Sequence, residues 1–194
     1  MKLISQKNHL KIYLKNKYFD KDGLPLIFRN IIDQSYITVD QKQHFNKNGV
    51  LTTWAFDFRI ALLNSDLTKV LFPYISQYLT ELGYDTIGLK GIGAIPFISL
   101  SQYSNIKNVF IVRDEKKING FRNEIEGMNP NRVYTKPICI IDDLINSGGS
   151  LQKAYDVFAS NNIEVNKYLS LINFGWGDKK INADLIDPIL EVYK

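Results

Sequence analysis

Two hydrophobic periods alternate along this chain, and the alternation predicts most of its elements. Leu3, Leu10, Tyr13, Leu14 and Tyr18 fall on one face of a helix over residues 3–18. Asp22-Gly23-Leu24-Pro25 breaks it, and residues 26–40 are expected to supply a strand or two. Trp54-Ala55-Phe56-Asp57-Phe58-Arg59 alternates apolar and polar as a half-buried strand does. Residues 66–82 read as a helix capped by Ser65, with Pro73 kinking it or resetting its start. A strand over 84–89 then leads through Lys90-Gly91-Ile92-Gly93-Ala94-Ile95-Pro96 into a helix reaching Tyr103. Residues 109–112 and 138–141 are short, β-branched and without alternation, the pattern of strands buried on both faces. Leu151, Ala154, Tyr155 and Phe158 mark an amphipathic helix, residues 168–172 a further strand, and residues 179–194 a last helix or strand. Strands alternating with helices imply an α/β fold: a parallel sheet with right-handed crossovers, helices on both faces and a ligand at the carboxyl ends of the strands.

Composition narrows the class. The chain has 194 residues, 45% of them hydrophobic, enough for one domain with a substantial core and a small N-terminal cap. No apolar run reaches the ~20 residues that span a bilayer, and the N-terminus lacks the continuous apolar stretch of a signal peptide. A single cysteine, Cys139, excludes an internal disulfide framework and points to a reducing, cytoplasmic setting. The net charge of +4 and pI near 9.0 come mostly from scattered lysines, which argues for a pocket that takes a polyphosphate over a nucleic-acid face. His9 and His44 are the only histidines and read as surface residues, so neither a zinc site nor a Cys–His nucleophile can be assembled.

The chemistry concentrates between Pro137 and Ala159. The apolar run Ile138-Cys139-Ile140-Ile141 is followed by Asp142 and Asp143, expected where that strand emerges, and then by Asn146-Ser147-Gly148-Gly149-Ser150. Asn146 or Ser147 would cap the following helix. The glycines let successive backbone N–H groups turn inward beside the positive end of the helix, which makes a phosphate cradle. Carboxylates accept hydrogen bonds from vicinal hydroxyls, so acids beside such a cradle suit a ligand with both a ribose and a phosphate. A Walker A loop is excluded because no lysine follows the glycines. The plainer alternative is a tight strand–helix turn with a solvated acid pair.

This stretch resembles the phosphoribosyl-diphosphate signature of the type I phosphoribosyltransferases, with only Asn146 standing where Thr is commoner. Three further segments follow in the order of the orotate phosphoribosyltransferases. Lys47-Asn48-Gly49 through Arg59 resembles their opening pattern, with Thr52 in place of Ser; an ordinary hairpin is the alternative. Gly91, Gly93 and Ile95-Pro96 are similar to their pyrophosphate loop, with Ala94 replacing its second glycine. Arg113, Glu115, Lys117 and Gly120 match their mobile charged loop, while Asp114 and Asn119 depart from it; a solvated loop is the alternative here. The Arg that meets the base carboxylate in those enzymes has no counterpart in Asn173-Phe174-Gly175-Trp176-Gly177-Asp178.

The resemblance implies a Rossmann-like phosphoribosyltransferase core over residues 44–194, under a hood from residues 1–43. It implies transfer of the 5-phosphoribosyl group from phosphoribosyl diphosphate to a nitrogenous base, with release of pyrophosphate through a transition state of oxocarbenium character. Asp142, Asp143, Lys117 and Arg113 are the implied catalytic residues. Asn146, Ser147, Gly148, Gly149, Ser150, Gly91, Gly93, Lys90 and Lys116 are the implied phosphoribosyl-diphosphate contacts. Lys47, Phe56 and Asp57 fall on the base side, and Mg²⁺ is the implied cofactor, held in part indirectly by Asp142 and Asp143. A homodimer is implied as well, with neither nucleic acid nor membrane as partner. Orotate is the acceptor this order favours, and another base is the runner-up. The alternative from a different class is a sensor that binds phosphoribosyl diphosphate without turnover.

Overall fold

The computed structural model describes residues 2–4, 26–38, 54–103, 105–113, 124–173 and 186–193. The chain divides into two compact units, residues 14–71 and residues 1–13 with 72–194.

The larger unit is built on a seven-stranded sheet. Its strands are β1 (Lys2–Ile4), β4 (Thr86–Lys90), β5 (Asn108–Val112), β6 (Ile125–Glu126), β7 (Ile138–Ile145), β8 (Val165–Asn173) and β9 (Ile186–Tyr193), in the order β1-β9-β8-β7-β4-β5-β6. The five central strands, β9-β8-β7-β4-β5, run parallel, as the alternation of elements predicts, while β1 and β6 close the edges antiparallel. The final segment forms strand β9. At the other terminus β1 occupies residues where the hydrophobic spacing predicts a helix; residues 5–18 of that expected helix lie outside the described residues. Pairing with β9 is a long-range interaction that local periodicity does not report.

The two faces of the sheet carry separate layers. On one, α4 (Gly149–Ser160) sets Leu151, Ala154 and Phe158 against Phe110, Ile138, Ile140 and Tyr168, all buried. Gly88 in β4 belongs to this face, where a Cβ would lie 2.7 Å from the Phe158 ring. Its neighbours Ile87 and Leu89, in register with Cys139 and Ile141, point to the other face. That face is covered by a 3₁₀ helix, Ile92–Gln102, unusually long for its type. Three residues per turn divide it into rows: Ala94, Phe97 and Leu100 are buried, whereas Ile92, Ile95 and Ile98 are exposed. Phe97 meets Phe72 at 5.6 Å between ring centroids, and Ser76 Oγ donates to the Leu100 carbonyl at 3.0 Å. Both contacts bring in the long helix α3 (Ser65–Glu81), which continues through Pro73. Asn64, not Ser65, caps it: its side chain accepts the Asp66 backbone N–H at 3.0 Å, and Ser65 is already helical.

In the smaller unit, residues expected as strand form helix α1 (Leu26–Ser35). Phe28, Ile31 and Ile32 recur at helical spacing, and Ile31, Ile32 and Ser35 are buried together. The strand expectation survives only in β2 (Tyr36–Thr38), paired antiparallel with β3 (Trp54–Phe56). The strand predicted to run to Arg59 stops at Phe56, and a short helix α2 (Phe58–Leu62) takes over with Phe58, Ala61 and Leu62 buried. Among the described residues no helix is long and apolar enough to cross a membrane.

The close approach of β4 to α4 is testable. Gly88→Val forces a branched side chain against Phe158 and Ile138 and is expected to cost about 1–3 kcal/mol in urea unfolding. Adding Phe158→Leu should return part of that loss. A Gly88→Val chain as stable as the wild type would contradict this packing.

Candidate functional site

Strand lengths at one end of the sheet create the site. β4 and β5 are level, with Lys90 opposite Val112, and both end there. β7 does not stop with them. It pairs with β4 only through Ile141 but stays in register with β8 through Ile145, opposite Asn173. Asp142 and Asp143 therefore lie within the strand, not beyond it as expected. They stand at the step where β4 has turned away and β8 still holds the backbone. Asp142, opposite Ser170, is 7% exposed, and its Oδ1 accepts the Asp143 backbone N–H at 2.9 Å.

The turn that carries β4 away is made by Gly91, whose φ of 79° suits glycine and strains other residues. The chain folds back so that Gly93 lies under Asp143. A Cβ on Gly93 would sit 2.5 Å from Asp143 Oδ2. Two motifs separated by fifty residues of sequence are thus in direct contact, and only a residue without a side chain permits it.

Beyond β7 the cradle differs in one respect from its expected form. Neither Asn146 nor Ser147 caps the helix; Gly148 does, with φ 76° and no side-chain cap bond. Asn146, Ser147 and Ser150 are exposed, and Gly149 begins α4. The first backbone N–H groups of a helix have no carbonyl within it to meet. With no side-chain cap from Gly148, that positive end suits an anion.

Arg113 follows β5 directly. Its guanidinium pairs with Glu126, and its backbone N–H donates to the Glu124 carbonyl at 3.0 Å. Glu126 is a contact that spacing did not single out, although it stands at the end of the charged stretch that begins at Arg113. Lys90, 6% exposed, reaches past the end of the ladder and donates from Nζ to the Arg113 carbonyl at 2.8 Å. Lys116 and Lys117, like Lys47, lie outside the described residues.

The structure thus gathers Asp142, Asp143, Gly91, Gly93, Lys90, Arg113 and the 146–150 loop at one end of one sheet. The two described residues expected on the base side belong to the other unit. Phe56 is in β3 opposite Tyr36. Asp57 follows it as the N-cap of α2: Oδ1 accepts the Arg59 backbone N–H at 3.1 Å, and the carboxylate takes both Nε and a terminal nitrogen of Arg59 at 2.7 Å. Those hydrogen bonds hold the Asp57 carboxyl below the usual carboxylate range against a smaller opposing effect of burial. An Asp directly before an apolar helical turn is the signal that could have identified the cap.

Comparison with known proteins agrees with this fold. No protein-family model matches the chain. An orotate phosphoribosyltransferase of Bradyrhizobium sp. is 26% identical over 132 residues, covering 65% of this chain and 71% of that protein. The orotate phosphoribosyltransferase of Mycobacterium tuberculosis in complex with phosphoribosyl diphosphate superposes with a TM-score of 0.59 at 16% identity, over 87% of this chain and 86% of that one. Adenine phosphoribosyltransferase from Thermoanaerobacter pseudethanolicus gives 0.61 at 14% identity, over 86% and 99%. The shared architecture spans enzymes named for different bases.

The Asp57 pair makes a pH-dependent prediction. Pairing favours the charged carboxylate, so its contribution to stability is present above the unfolded-state value and lost as the pH falls through the depressed folded one. Asp57→Ala is expected to cost about 1 kcal/mol near neutrality, the worth of a helix cap. In urea melts that deficit should shrink as the pH drops below about 4. A deficit that stays constant with pH would exclude a contribution from the ion pair.

Proposed function

From a type I phosphoribosyltransferase fold, in a chain related at low identity to orotate phosphoribosyltransferases, we propose a phosphoribosyltransferase that uses phosphoribosyl diphosphate, with orotate the favoured acceptor. A ring nitrogen of the base forms the new bond to C1 of the ribose as the bond from C1 to the diphosphate oxygen breaks. The products are pyrophosphate and a nucleoside 5′-monophosphate. The observation that carries the proposal is the acid step of β7 packed on Gly93 beside a helix that starts at a left-handed glycine.

Each part of that end of the sheet has a task in this reading. Asp142 and Asp143 accept hydrogen bonds from the ribose hydroxyls and favour positive charge developing on the ring. The N-terminal amides of α4, with Asn146, Ser147 and Ser150, hold the 5′-phosphate. Gly91 and Gly93 let the backbone approach the diphosphate. Arg113, Lys116 and Lys117 supply positive charge to the same group. No side-chain nucleophile is needed, so the rate comes from orientation and electrostatics. Mg²⁺ fits the donor set. Two hard carboxylates are adjacent, which suits an ion that keeps waters and substrate oxygens in its shell. Asp142 and Asp143 would hold it, and when bound it would neutralise charge on the diphosphate.

One observation favours a second acceptor. The arginine that the resemblance to the orotate enzymes leads one to expect for the base carboxylate has no counterpart in residues 173–178. Without that guanidinium the acceptor need not carry a carboxylate, and a base with an uncharged edge becomes the alternative.

Pyrophosphate release with Mg²⁺, across orotate, uracil, adenine, hypoxanthine, guanine and xanthine, tests the proposal and selects between acceptors. Asp143→Asn should lower turnover at least a hundredfold. Gly93→Ala, which displaces the Asp143 carboxylate, should lower it substantially with unchanged circular dichroism. Tight binding of phosphoribosyl diphosphate without release for any base would replace the transferase by a sensor.

A further inference from the structure

Lys90 is the only buried lysine among the described residues. Taking an ammonium out of water costs several kcal/mol unless its donors are satisfied. One of them is spent on a main-chain oxygen, the Arg113 carbonyl, at 2.8 Å. Arg113 is held from other directions too. The Arg113 N–H bonds the Glu124 carbonyl at 3.0 Å, and its guanidinium pairs with Glu126, so β6 and the residue before it hold two groups of Arg113 and β4 holds the third. The parallel ladder cannot do this itself, because its last rung is Lys90 opposite Val112 and Arg113 lies one residue beyond. Immediately after Lys90 comes Gly91, the turn that delivers Gly93 to Asp143.

We propose that Lys90 is a positioning residue: its ammonium fixes the main chain of Arg113 to the strand that feeds the glycine turn. The inference rests on the phosphoribosyltransferase reading, in which Arg113 and the glycine turn serve the same diphosphate. It replaces the expectation that Lys90 is itself a phosphoribosyl-diphosphate contact. A strand-end cation sets the spacing between a cationic side chain and a glycine turn that local sequence leaves independent.

The test reads the ligand-free chain first. Amide hydrogen exchange by NMR should show Arg113 opening at least tenfold faster in Lys90→Met, with Ile140 and Leu169 in the sheet centre unchanged. Lys90→Arg should recover most of the protection. Glu126→Gln, which loosens the same residue from β6, should accelerate the same amide, and its effect should be non-additive with Lys90→Met. In turnover assays Lys90→Met should raise KM for phosphoribosyl diphosphate about tenfold with a smaller change in kcat. An Arg113 amide unaffected by Lys90→Met would overturn the proposal. If pyrophosphate affinity fell nonetheless, Lys90 would be a direct ligand. Should Lys90→Met not fold, Lys90→Gln takes its place, and additive effects of Lys90→Gln and Glu126→Gln on the Arg113 amide would equally overturn it. Absence of turnover in the wild type would sink the transferase reading while leaving the exchange result to stand or fall by itself.

Discussion

The candidate site depends on unequal strand lengths. β7 keeps its hydrogen-bond partner β8 for four residues after its other partner, β4, has left the sheet at Gly91. Backbone pairing on one side keeps Asp142 and Asp143 extended, while the vacated side leaves room for the chain to fold back under them. Had β4 continued, the acids would be buried between two strands, where carboxylates carry a heavy desolvation cost. Had β8 stopped too, they would stand on a loop with no fixed spacing. A step of a few residues in one ladder gives carboxylates on an extended backbone that main-chain pairing holds from one side.

Glycine makes that step usable, in three different ways. Gly91 supplies a positive φ that turns the chain sharply. Gly93 supplies absence of volume, since its neighbour is a carboxylate where a methyl group would be. Gly148 caps α4 without offering a side chain to its first amides. All three lie at the end of the sheet where Asp142 and Asp143 stand. The same economy appears behind the site, where Gly88 lets Phe158 of α4 reach β4. Charge is handled with comparable restraint. Lys90 and Arg113 are bonded to protein groups, and the carboxylate of Asp57, in the other unit, serves a helix end and its own arginine.

Much of the larger unit was legible from sequence because its signals are local. An apolar β-branched run of four residues, an acid pair and a glycine cluster before an amphipathic helix are each recognisable within a few residues. The parallel order of the sheet follows from the alternation of strands and helices. The smaller unit was harder to read for a physical reason. Helix α1 carries isoleucines that suit either element, and its helical spacing covers barely two turns. Asp57 sits in an alternating run whose last polar residues belong to a cap and an ion pair instead of a strand face. A short pattern compatible with both periods is decided by its neighbours, and those neighbours are distant in sequence.

By itself, then, the chain's order of residues determined an α/β fold, the position of its buried strands, and a glycine-rich turn between an acid-bearing strand and an amphipathic helix. Those properties depend on periodicity and on the conformational range of glycine, which act over a few bonds. Tertiary structure alone decided where β7 ends, which glycine meets Asp143 and that Lys90 holds Arg113. Each of these is set by strand register across a sheet, and register is a property of pairs of segments that no single segment encodes.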